Sequence, residues 1–254
     1  MDWSWVIPLI ALTAMEIVLG IDNIVFIAIV SGQLPAEKRL LARRLGLAMA
    51  MVMRIALLLT LKKIMALETP IFHLADLGLR EAWLGMDEHQ WEHFNGVSWR
   101  DVILLTGGLF LIAKSVFEIH KKLEGSGEHS EVGAKVSLAG ILVQIGILDI
   151  IFSLDSVITA VGMAEQLWVM IVAVVLAVGV MLVFAGTVSA FVERHPTIKM
   201  LALSFLILIG VMLVAEGIGT HIDKGYIYFA MFFALVVEFL NLRLRSHKPA
   251  EAAG

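Results

Sequence analysis

No cysteine occurs in the 254 residues, which excludes disulfides, thiolate metal sites and cysteine nucleophiles. Charge is scarce too. Asp, Glu, Lys and Arg make up 17% of the chain and hydrophobic residues 59%, with a mean hydropathy of +0.91. A soluble domain of this length needs far more polar surface, so the composition is that of an integral membrane protein. The expected surroundings are a lipid bilayer, and nucleic acid is not an expected partner. The opening stretch MDWSWVIP has no Lys or Arg ahead of its apolar run, so no cleaved signal peptide is expected. Trp3 and Trp5 read as interfacial anchors, and Pro8 fits the first turn of a helix.

What is present is apolar length. Seven segments stand out, at about 5–30, 44–66, 101–119, 136–164, 167–192, 198–216 and 226–244. About 20 helical residues cross the hydrocarbon core. The first and fourth segments run beyond that, which requires tilt or a break buried inside the protein. Loop charges set the orientation. Lys38, Arg39, Arg43, Arg44, Lys121, Lys122, Lys135, Arg194, Lys199, Arg243, Arg245 and Lys248 fall on one side. The N-terminus, the acidic loop 67–100, the turn at Glu165 and the stretch Glu216 to Lys224 fall on the other; Lys62 and Lys63 are the main exceptions. The positive-inside rule then puts the N-terminus outside and the C-terminus in the cytoplasm.

The polar, glycine-rich stretch EGSGEHSEVG at 124–133 reads as a linker. The expected fold is all-α: a polytopic transmembrane bundle of seven spans, two inverted three-helix repeats and one extra helix. The first repeat takes 1–123, with external loop 67–100; the linker is 124–135, the second repeat 136–225, and the last span and tail 226–254. An odd number of spans per repeat forces the second to enter the membrane from the opposite side, as in many secondary transporters.

Two motifs support the repeat. EIVLGIDN at 16–23 and DIIFSLDS at 149–156 align without gaps. Glu16 falls on Asp149, Gly20 on Ser153, Asp22 on Asp155 and Asn23 on Ser156. At about 100° per residue, positions seven apart share a stripe and positions six apart do not. Glu16 therefore shares a face with Asn23, and Asp149 with Ser156. A break near Gly20, and another near Ser153, would turn Asp22 and Asp155 toward the same point.

An ionised acid at mid-membrane costs about 2.5–3.5 kcal/mol on insertion scales. Two basic residues inside apolar segments, Arg54 and Lys114, are the available counter-charges. Four acids against two bases leave a formal −2, the charge a divalent cation neutralises. Carboxylate, amide and hydroxyl are hard oxygen donors suited to Mn2+, Mg2+ or Ca2+. No histidine lies near either motif, which disfavours copper and zinc. The alternative is helix-packing glue, with the acids satisfied by Arg54, Lys114 and polar neighbours. Asp22 with Asp155 are expected as the core pair of metal ligands, with Glu16, Asp149, Asn23 and Ser156 beside them.

The stretches EIVLGIDNIVFIAIVSGQLP, ARRLGLAMAMVMR, QIGILDIIFSLDSVITAVGMA, VERHPTIKMLALSFLILIG and KGYIYFAMFFALVVEFLNL resemble the TerC family of bacterial inner-membrane proteins. That family is grouped with the LysE-type transporters. The resemblance implies manganese export; export against the membrane potential needs coupling, and carboxylates that trade metal for H+ make proton antiport at a mid-membrane carboxylate site the candidate form. Its alternative is a membrane scaffold that hands metal to exported proteins without net transport. It places Asp22, Asn23, Asp155 and Ser156 at the family's motif positions. The family is named for tellurium resistance, but four acids repel oxyanions. Some relatives carry a soluble cytoplasmic domain after the membrane part, which is not expected past Leu244 here. A homo-oligomer and exported-protein or translocation partners stay open.

Other features carry less. His89 and His93 in DEHQWEH are four apart, a zinc-like spacing on a helix, but an interfacial loop with Trp83, Trp91 and Trp99 explains them as well. Glu216 and Glu238 lie near segment ends, where ordinary interfacial placement competes with a proton path. Gln144 precedes Asp149 by one and a half turns and is a candidate for the same cavity. Gly107, Gly108, Gly179 and Gly186 suit close helix packing. No enzymatic activity is expected: an intramembrane hydrolase built on an Asp pair fits the repeat and short loops less well than a transport path does.

Overall fold

The computed structural model describes residues 5–60, 63, 65–78, 85, 91, 94–124, 137–163, 166–220 and 222–246, without the side chains of 22, 66, 155, 158–163, 245 and 246. Seven long helices lie among them. They are α1 (Val6–Ser31), α2 (Ala36–Leu59), α3 (Trp99–Leu123), α4 (Leu138–Met163), α5 (Leu167–Arg194), α6 (Pro196–Gly217) and α7 (Lys224–Ser246). Five of the described helices, α1, α3, α5, α6 and α7, are long and apolar enough to cross a membrane. The chain is a mostly helical membrane protein.

Local chemistry sets the helix ends. Ser98 opens α3 with a capping box: the Asp101 N–H donates to its hydroxyl at 3.2 Å, and the Ser98 N–H donates to the Asp101 carboxylate at 2.8 Å. Pro196 sits in the first turn of α6, where its missing N–H is not needed. After α6 the chain reverses through Gly219 at φ 78°, a left-handed conformation that glycine adopts without strain. α2 starts at Ala36, directly after the extended Pro35, eight residues before the expected segment at 44. Its charged first turns are helical because a helix does not stop at the lipid boundary.

One element is absent from the sequence expectation. β1 (Pro70–His73) and β2 (Gly96–Ser98) pair antiparallel, with His73 opposite Gly96 and Pro70 opposite Ser98. This ribbon closes the segment between α2 and α3. His89, His93, Trp83, Glu165, Trp3 and residues 125–135 of the linker lie outside the described residues.

α3 and α6 make the most extensive contact, followed by α1 with α5 and α2 with α4. α2 also packs on α5, and α1 on α4, while α7 leans on α6. Backbones touch where α3 crosses α6. A Cβ on Gly108 would stand 2.6 Å from the Gly210 carbonyl oxygen, and one on Gly210 would stand 2.9 Å from the Gly108 carbonyl oxygen. Gly107 is equally closed, with Ile151 filling the space a Cβ would need. Gly179 and Gly186 differ from expectation: nothing lies within 4 Å of a Cβ at either.

α1 and α4 run unbroken through both acidic motifs. Of the two alternatives, tilt or a break, the described backbone shows no break near Gly20 or Ser153. Gly20 has ordinary helical backbone, and the Met181 side chain of α5 occupies the space above it. The glycine serves packing rather than a turn. On the intact α1, Leu12, Glu16, Gly20, Asn23 and Ile27 form one buried stripe, the stripe that helical spacing predicts for Glu16 and Asn23.

Candidate functional site

Arg54, on α2, is the centre of the buried polar cluster. Only 3% of the residue is exposed. Its guanidinium meets the Glu16 carboxylate of α1 and the Asp149 carboxylate of α4, with Nε and Nη2 each 3.2 Å from Asp149 Oδ1. Glu16 and Asp149 are each 4% exposed. The two acids at equivalent places in EIVLGIDN and DIIFSLDS thus come together on one arginine. A guanidinium keeps its charge and presents a fork of donors, so it can hold two carboxylates at once in a place with little water.

The smaller polar groups complete the cluster. Ser153 Oγ donates to Asp149 Oδ2 at 3.3 Å. The Ser156 hydroxyl stands beside Glu16 and donates to the Ser153 carbonyl at 3.3 Å. Asn23 is buried, 8% exposed, and its Nδ2 has no hydrogen-bond partner among the described residues. It shares one cavity wall with Arg54 and Asp149, where an unpartnered buried amide costs free energy. The side chains of Asp22 and Asp155 lie outside the described residues; their backbones continue α1 and α4 past the cluster. Among the described residues, no three His, Cys, Asp or Glu side chains gather as a ready metal site.

Other expected residues fall elsewhere. Among the described residues Lys114 pairs with Glu118 rather than with Glu16 or Asp149. Its Nζ is 3.0 Å from Glu118 Oε1, one helical turn away, and Gln33 Nε2 donates to the same oxygen at 2.7 Å. Gln144 is not among the residues lining the Asp149 cavity, and its buried Oε1 has no partner among the described residues. Glu216, at the end of α6, is buried, 6% exposed, and lies 3.5 Å from Arg100 at the start of α3. Glu238 is half-buried on α7, apart from the Arg54 cluster.

Sequence reasoning missed several contributions. Ser153 was legible as the counterpart of Gly20, but its hydrogen bond to Asp149 needs the unbroken helix. Tyr228 and Met181 line cavities that touch Arg54 or Asp149, and neither carries a local signal. Arg43 and Glu193 form an ion pair, with Arg43 Nε also donating to Ser31 Oγ at 3.0 Å. That pair ties α2 to α5 across 150 residues of sequence, a separation no motif spans.

Comparison with known proteins fits this geometry. The model of the integral membrane protein TerC family matches residues 1–251. A "UPF0053 protein" of Haemophilus influenzae is 52% identical over 95% of this chain and 94% of its own length. The "UPF0053 inner membrane protein YgdQ" of Escherichia coli K12 is 50% identical, over 94% of this chain and 92% of its own. The "UPF0053 inner membrane protein YoaE" of the same organism is 44% identical over 95% of this chain, which spans 43% of that longer protein. No solved structure matches.

Proposed function

The chain belongs to the TerC family of integral membrane proteins, and on that premise we propose that it exports a divalent cation, Mn2+ first, across the bacterial inner membrane. The observation that carries this reading is the meeting of Glu16 and Asp149, motif equivalents from two halves of the chain, on one buried arginine. Asp22 and Asp155 follow six residues along the same helices. With Lys114 engaged by Glu118, Arg54 is the one cation beside Glu16 and Asp149 among the described residues, and the two motifs hold four acids. The excess negative charge favours a hard cation, and Asn23 and Ser156 add neutral oxygen donors.

The packing supports two inverted repeats and seven spans. Exchanging α1, α2 and α3 with α4, α5 and α6 turns the α1–α5 contact into the α4–α2 contact. The same exchange returns the α3–α6, α1–α4 and α2–α5 contacts to themselves. Such an exchange is what a pseudo-two-fold axis in the membrane plane would impose. Loop charges favour an outside N-terminus and a cytoplasmic C-terminus. Export works against a negative-inside potential at about 2.3 kcal/mol per charge per 100 mV, so coupling is required. Carboxylates that trade metal for H+ make proton antiport the natural form.

The test is Mn2+ flux in everted membrane vesicles and in liposomes under a pH gradient. Glu16→Gln, Asp149→Asn, Asp22→Asn and Asp155→Asn should each lower flux at least tenfold. A wild-type rate in Asp149→Asn removes the paired acids from the mechanism. Mn2+ binding with no flux under any gradient turns the reading to a metal-holding scaffold.

A further inference from the structure

Two cavities reach Arg54 from opposite ends of the bundle. One is walled by Asn23, Leu47, Ala50, Leu148 and Asp149. Along the chain these lie in the later part of α1 and in the parts of α2 and α4 that precede Arg54 and Asp149, toward the end rich in Lys and Arg. The other is walled by Ser156, Met212, Leu213, Ile227 and Tyr228. These lie in the later parts of α4 and α6 and at the start of α7, toward the opposite end. Arg54 belongs to both walls. Asn23 and Ser156, the last residues of the two motifs, each place one polar group in a different cavity.

The chemistry of the septum is restrictive. A guanidinium does not deprotonate in proteins, so Arg54 cannot act as a proton carrier. Held at 3% exposure between two carboxylates, it can leave them only if another cation takes its place, because bare buried acids are costly. The unpartnered, buried amide of Asn23 faces the same cavity. Amide oxygen and nitrogen exchange by a flip, so Asn23 can offer its oxygen to an arriving ion.

We propose that Arg54 is a tethered cation that competes with the transported ion for Glu16 and Asp149 and seals the two cavities from each other. An ion entering one cavity displaces Arg54 from the acids. The return of Arg54 expels the ion to the other side and restores the seal. This rests on the cation-transport reading above, and the two arms of its test separate the failure of one from the failure of the other.

The absence of cysteine lets single introduced thiols report alone. Ala50→Cys and Met212→Cys sit in the walls of the two cavities, and the probe is a membrane-impermeant methanethiosulfonate on the full chain in sealed vesicles of each orientation. With Arg54 present, each thiol should react from one side only, and the sides should be opposite. With Arg54→Gln, both thiols should react from both sides. Side-restricted labelling that persists in Arg54→Gln, or no labelling of either thiol, overturns the seal. The second arm is calorimetric titration of purified protein with MnCl2. Arg54→Gln should bind at least tenfold more tightly than the parent chain. Equal or weaker binding in Arg54→Gln overturns the competition. If the parent and Arg54→Gln both bind no Mn2+, Mg2+ or Ca2+, the transport reading falls and competition falls with it, while labelling still decides the seal. Should Arg54→Gln fail to fold, Arg54→Lys keeps the charge but loses the fork. It should bind two- to threefold more tightly and admit slow labelling from the second side, and no change in both measures overturns the proposal.

Discussion

Arg54 cannot lose its charge, and Glu16 and Asp149 have no other cation beside them among the described residues. Removing one member of such a buried set costs about 3–5 kcal/mol, whereas replacing the whole set with neutral groups is often close to neutral. Arg54→Gln should therefore lower unfolding stability in detergent by about that amount, and the triple variant Glu16→Gln, Arg54→Gln, Asp149→Asn should recover most of it. Tryptophan fluorescence during denaturation measures both, and a triple variant as weak as Arg54→Gln would show that the three do not act as a unit. MnCl2 should restore Arg54→Gln but not the triple variant, since a ligand stabilises only the form that binds it. The alignment of the two motifs made Glu16 and Asp149 legible as equivalents. Arg54 was legible as a counter-charge to the motif acids, but not that it takes Glu16 and Asp149 together, because α2 carries no counterpart motif to set its depth. For Lys114 the partner Glu118 was not legible, because depth along a helix says nothing about an acid one turn away.

At the scale of elements, the closest helix approach is the α3–α6 crossing. A Cβ at Gly108 would meet backbone rather than a movable side chain tip, so the helices themselves must separate. Gly108→Ala and Gly210→Ala should each destabilise the fold by about 1–3 kcal/mol, the usual range for overpacking. Gly179→Ala should be neutral or stabilising by up to about 1 kcal/mol, because open space lets helix propensity decide. Thermal melts of the three variants check the contrast, and equal losses at Gly108 and Gly179 would sink it. Sequence showed these glycines as one class; only the packing separates those that touch a backbone from those that face open space. The same ambiguity left tilt and a break at Gly20 both open, where the residue admits Met181 and the helix continues. Helix cores were legible from apolar length. The start of α2 was not, since charged turns beyond the lipid carry no apolar signal.

Among the described residues, ionic ties join the two halves of the molecule at three depths, with Arg39 as well as Arg43 near Glu193. Arg43 meets Glu193 at the end rich in basic residues, Arg54 meets Asp149 in the centre, and Arg100 meets Glu216 at the other end. In each, the arginine comes from the first half and the acid from the second. If the proposed transport proceeds by rocking one repeat against the other, the two outer ties are the ones that motion must break in turn, one for each direction of opening. A partly exposed tie is worth about 0.2–1 kcal/mol, and 1 kcal/mol at the upper end shifts a two-state population about fivefold. Glu193→Gln should therefore raise the labelling rate of Ala50→Cys two- to fivefold and leave Met212→Cys unchanged or slower. Glu216→Gln should do the reverse, with a larger effect because Glu216 is buried. The rates are read with the impermeant thiol reagent in sealed vesicles of each orientation. If both substitutions accelerate the same thiol, the outer ties are not opposing latches, and the two halves do not rock about the Arg54 site.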